Sequence, residues 1–142
     1  MEKRIRLVFC ILSVVVTVFV FGFSFTEMFY GAATIAHLLV SLLFILVWLG
    51  LAILARQSAK ILEYIGVFWA FIFLTFLASC LLEYVYAFIP ILHELGVILL
   101  VIFYPPFFGL TYFVGDASLF PAILLLAAAF LVYSIVCTRR LK

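Results

Sequence analysis

ILSVVVTVFVFGFSF, residues 11–25, decides the fold. A membrane β-strand alternates between lipid-facing and lumen-facing side chains over about ten residues. This stretch shows no such alternation. With its flanks it extends an apolar run from about Ile5 to Phe25, close to the ~20 residues that carry an α-helix across the hydrocarbon layer. In lipid every backbone amide must be satisfied inside the protein, so an unalternating apolar run of this length reads as a transmembrane helix.

The remainder of the chain repeats that pattern. Its 142 residues are 71% hydrophobic and 10% charged, and the mean hydropathy is +1.53. A soluble domain is about half apolar and a quarter charged. The fold class is therefore all-α, a polytopic transmembrane helical bundle forming a single membrane domain. No segment is long and polar enough to make a separate soluble domain. The net charge of +2 comes from short basic flanks rather than a basic surface, which argues against nucleic-acid binding.

The segment MEKRIR resembles the basic start of a secretion signal. However, the apolar run behind it exceeds about 15 residues and has no clear small-residue cleavage site, so it is expected to stay as an uncleaved anchor. LVFC at residues 7–10 does not meet the lipoprotein pattern, because Phe9 stands where a small residue belongs. Cys10, Cys80 and Cys137 lie apart in apolar stretches without CxxC spacing, and they suggest neither a metal knuckle nor a disulfide framework.

Further spans are expected at about Thr34 to Ala55 and Ile61 to Leu82, joined by the polar loop RQSAK. Tyr84 and Tyr86 suit the headgroup layer at the far end of the third span. Beyond Pro90 the pattern is divided. Proline removes an amide donor and clashes with the preceding turn, so the helix after Pro90 should end near Tyr104, ahead of Pro105 and Pro106. Two arrangements follow. Residues from about Ile91 to Phe113 span, and SLFPAILLLAAAFLVYSIVC makes a fifth helix. Alternatively, the prolyl segment dips in and returns as a re-entrant hairpin, leaving four spans. The favoured arrangement is about five spans. All eight Lys and Arg fall in three groups, Lys3 to Arg6, Arg56 with Lys60, and Arg139 to Lys142. By the positive-inside rule the N-terminus is cytoplasmic. The expected location is the cell membrane.

An internal repeat strengthens the five-span arrangement. Glu27, Tyr30 and His37 recur as Glu83, Tyr86 and His93, each displaced by 56 positions, and these are the only two histidines. The repeat reads as a parallel duplication of a two-helix hairpin, residues 3–55 and 59–111, followed by an extra helix at 119–138. In such a duplication two hairpins are related by an axis along the membrane normal. Two imidazoles and two carboxylates would then share one layer near the outer face. Ionisable groups at that depth are costly unless paired or ligated.

His37, His93, Glu27 and Glu83 are thus the candidate site, with Tyr30, Tyr86 and Glu94 in support. Two facing histidines suit the axial positions of haem b, and Gly31, Ala32, Ala33 and Ala36 would leave room for a flat macrocycle. The same four groups suit zinc or a similar divalent metal. They also suit a proton or cation relay in an oligomeric carrier. The bland alternative is an acidic rim that snorkels into water and ligates nothing. HELG at residues 93–96 lacks the second histidine of a zincin, since Val97 stands there. No hydrolase or kinase set appears, so enzymatic chemistry is not expected. The expected partners are the lipid bilayer and either further copies of the chain (a homo-oligomer) or other membrane subunits, which would make the protein an accessory or scaffold of a larger complex.

Overall fold

The computed structural model describes residues 2–85 and 90–141, without the side chains of residues 2, 83–85, 90, 92, 93, 116 and 117. All regular structure in the described residues is helical. The helices are α1 (Glu2–Tyr30), α2 (Ile35–Leu54), α3 (Ala59–Val85), α4 (Pro90–Phe103), α5 (Pro105–Phe108) and α6 (Asp116–Arg140). Short 3₁₀ turns follow α2 at Ala55–Gln57 and α5 at Gly109–Tyr112. Among the described residues four helices are long and apolar enough to cross a membrane. Residues from Glu94 to Tyr112 make a fifth candidate only if a pair bent by 70° counts as one span.

Local chemistry sets these boundaries. Thr34 stands in extended conformation as the cap of α2, a position that favours Thr because its oxygen can meet an orphan amide. Pro105 occupies the first position of α5, where the missing N–H costs nothing. The Tyr104 amide still bonds to Leu100 O at 2.7 Å. Pro105 and Pro106 have no amide to continue that ladder, and the axis turns there.

One end of the molecule gathers the basic residues. Arg6 Nη2 donates to Gln57 Oε1 at 3.0 Å, which puts the start of α1 beside the α2–α3 turn. Arg56 Nε donates to Tyr133 Oη at 3.2 Å, and Arg56 and Arg140 line a common cavity. The end of α6 therefore lies with the starts of α1 and α3. We call this the basic end.

The core is aromatic and lies at mid-height. Trp48 stacks on Phe68 with centroids 4.0 Å apart, and Trp69 stacks on Phe130 at 4.2 Å. Phe107 of α5 meets the edges of Phe44 at 5.6 Å and Phe76 at 5.8 Å. The side chains of Phe44, Trp48, Trp69, Phe76 and Phe107 are fully buried. Of the 18 phenylalanines, Phe19, Phe23, Phe29, Phe71 and Phe113 are among those that face outward, so the residue type serves both the interior and the outer surface.

A small residue sets the close approach of α3 to α6. A Cβ on Gly66 would meet Ser134 Oγ, and that hydroxyl donates to Leu62 O, locking α3 against α6. Without a strong hydrophobic force between helices in lipid, such close packing and interhelical hydrogen bonds hold the bundle together.

Candidate functional site

The turn after α5 presses directly on the start of α2. A Cβ on Gly109 would collide with the His37 carbonyl, so only glycine fits there. The Gly109 amide donates to the buried Ser41 Oγ at 3.1 Å. From this crossing the chain returns to the end of the molecule that holds the α1–α2 turn. There Thr111, Tyr112 and Gly115 line the same cavity as Met28, Gly31, Ala32 and Ala33.

That cavity is open and about 810 Å³ in volume, within the range of ligand pockets. Val97, Leu100 and Val101 of α4 and the following Tyr104 form one wall, and Phe108 and Phe120 line its floor. Among the described residues no Asp, Glu, Lys, Arg or His lines it. Its polar side chains are the hydroxyls of Tyr104, Thr111 and Tyr112. Thr111 Oγ1 already donates to Phe108 O at 2.7 Å, and Tyr112 is half exposed. Gly31, Ala32 and Ala33, expected to leave room beside His37, do leave room here.

His37 lies under this floor. It is 5% exposed, with its ring 5.0 Å from that of Phe23 and 5.3 Å from that of Phe108. The Thr34 amide donates to His37 Nδ1 at 3.2 Å, and Thr34 Oγ1 lies 2.8 Å from the same nitrogen. A backbone amide can only donate, so Nδ1 accepts and the ring hydrogen sits on Nε2. His37 thus takes the third helical position in the role that Glu or Gln plays in a capping box. Nε2 is buried and makes no hydrogen bond within the described residues, as is true of Ser24 Oγ and Trp69 Nε1.

Ligation through Nε2 would require the ring hydrogen to move to Nδ1, and the bond from the Thr34 amide would be lost. The other expected ligands are differently placed. Glu27 and Glu94 are exposed, and Tyr30, at 93% exposed, points away from His37 and its surroundings. Tyr86 lies outside the described residues. So do the side chains of Glu83 and His93, whose backbones belong to α3 and α4. Among the described residues no three His, Cys, Asp or Glu side chains gather closely enough to hold a metal ion.

Thr34 is the hydrogen-bond partner of His37 that sequence reasoning missed. The signal was the Thr34-x-x-His37 spacing, which is that of a helix cap. Comparison with family models, curated proteins and solved structures finds no match, so a functional reading rests on this geometry alone.

Proposed function

We propose that the protein is an integral membrane protein whose outer cavity binds a neutral amphiphile, such as a lipid with an uncharged hydroxyl-bearing head. In this reading α1, α2, α3 and α6 cross the cell membrane with the basic end in the cytoplasm. The stretch from α4 to residue 115 is a re-entrant hairpin. Every described Lys and Arg then obeys the positive-inside rule.

Re-entrant backbone is tolerated where protein buries it, and the burial of Pro105 to Phe108 supports that condition. A parallel duplication of the hairpin belongs to the same reading. It is supported by the recurrence of Glu27, Tyr30 and His37 as Glu83, Tyr86 and His93 at a displacement of 56 residues, with α3 and α4 opposite α1 and α2.

The observation that carries the ligand class is a cavity of about 810 Å³ with hydroxyls and no Asp, Glu, Lys, Arg or His side chain on its described walls. An ion carrier would need charged or strongly polar groups there. A neutral amphiphile needs apolar walls and a few hydrogen-bonding groups. No catalytic residue is assigned. Association with other membrane subunits is compatible with this role, with the cavity presenting or sensing the bound lipid.

The test is equilibrium binding of a fluorescent monoacylglycerol to detergent-purified protein. Ala33→Trp, which fills the cavity, should weaken binding at least about tenfold, the loss of a few good apolar contacts. Unchanged binding in that variant would overturn the reading. A Soret band that vanishes in both His37→Ala and His93→Ala would replace it with the haem site expected from the repeat, and elemental zinc lost in both would replace it with the metal site.

A further inference from the structure

A second site lies at the basic end, between α2 and α6. These helices are held apart by a groove and tied across it by Tyr133, whose hydroxyl donates to Ala52 O at 2.9 Å. A cavity of about 570 Å³ opens there, and Arg56, Tyr133, Cys137 and Arg140 contribute to its lining. A neighbouring cavity of about 260 Å³ is lined by Leu49, Ile53, Leu126 and Phe130 among others, and its surface is almost wholly apolar. Ala129 and Tyr133 border both, so the charged mouth and the greasy groove share a wall.

We propose that this composite groove binds an anionic phospholipid of the inner leaflet. The phosphate sits between Arg56 and Arg140, and one acyl chain lies along Leu49, Ile53, Leu126 and Phe130. Three features select this occupant. Two guanidiniums line the mouth, and no described carboxylate joins them. Guanidinium forks match phosphate oxygens well. Arg56 is already oriented through Nε by Tyr133, which leaves its terminal nitrogens for a ligand. The apolar groove begins where a headgroup would end, and a free anion would leave it empty. Basic pockets between helices on the cytoplasmic side are where acidic headgroups bind. A choline or ethanolamine head would bring its own cation toward two arginines and be repelled.

The test is native mass spectrometry of the full chain in detergent, titrated with phosphatidylglycerol and with phosphatidylcholine of the same chain length. Phosphatidylglycerol should bind at least about tenfold more tightly, and Arg56→Gln and Arg140→Gln should each weaken it about fivefold, the effect of one basic group near a membrane surface. Arg140 is exposed, so its variant should keep the native helical circular dichroism, and Arg140→Lys should recover most of the binding. Leu126→Trp, which blocks the groove, should weaken the long-chain lipid while leaving binding of dihexanoyl phosphatidylglycerol nearly unchanged. Equal affinity for the two headgroups, indifference to both arginine variants, or displacement by millimolar inorganic phosphate would each overturn the proposal.

Discussion

The two hairpins begin alike and finish differently. At a displacement of 56 residues, α3 lies opposite α1 and α4 lies opposite α2. Thr34, the cap of α2, stands opposite Pro90 in the sequence. The paths part where Leu49 and Gly50 stand opposite Pro105 and Pro106. α2 runs on through Leu54 to the basic end. α4 stops at Phe103, bends by 70° and turns back toward the α1–α2 turn. At the pair of prolines the second path bends away from that of α2, and the buried Phe107 and the close approach of Gly109 to His37 fix where it goes.

The largest effect is expected at Gly109. Gly109→Ala forces a Cβ into the His37 backbone and should destabilise the fold by about 3 kcal/mol, the upper part of the usual overpacking range. Unfolding in a graded detergent series would measure it, and a neutral result would mean that the turn does not sit on α2.

Next come Phe107 and its counterpart in the first hairpin, Leu51, both fully buried. Phe107→Ala should cost about 3 kcal/mol and Leu51→Ala about 2 kcal/mol, the low ends of their ranges because lipid rather than water surrounds the unfolded helices. A markedly smaller cost for Phe107 would show that the re-entrant arm is only loosely docked.

Ser41→Ala leaves the Gly109 amide without its acceptor and should cost about 1–2 kcal/mol. The smallest change is Thr34→Val, which removes the capping hydroxyl and should cost about 1 kcal/mol. It should also leave His37 Nδ1 with the residue 34 amide as its one bonding partner, a change readable as a shift of its imidazole proton resonances.

Much of the helical framework was legible in the sequence. Apolar runs flanked by Arg6, Arg56 and Arg139 marked the long helices, and Pro105 marked the break after Tyr104. The direction taken after that break was not legible. It depends on tertiary contacts, the glycine that alone fits against His37 and the aromatic pocket that receives Phe107, and hydropathy carries neither. The site was legible only in pieces. His37 was conspicuous as a polar residue at membrane depth, yet polarity does not distinguish a ligand from a cap, and its bond from Thr34 is local. Gly31, Ala32 and Ala33 were identified as space, but the wall facing them is built by the bend. The arginines at residues 56 and 140 were read only as topology signals, because their proximity requires α6 to return to the basic end.

The measurement that bears most directly on the re-entrant arm is a two-probe accessibility map in oriented vesicles. The native cysteines would be replaced, and single cysteines would be introduced by Phe113→Cys and Leu141→Cys. If the arm turns back, the probe at 113 reacts from outside and the probe at 141 from the cytoplasmic side, together with a Gln57→Cys control. Reaction of 113 from the cytoplasm and 141 from outside would mean five crossing segments, and the cavity built on the returning chain would have to be abandoned.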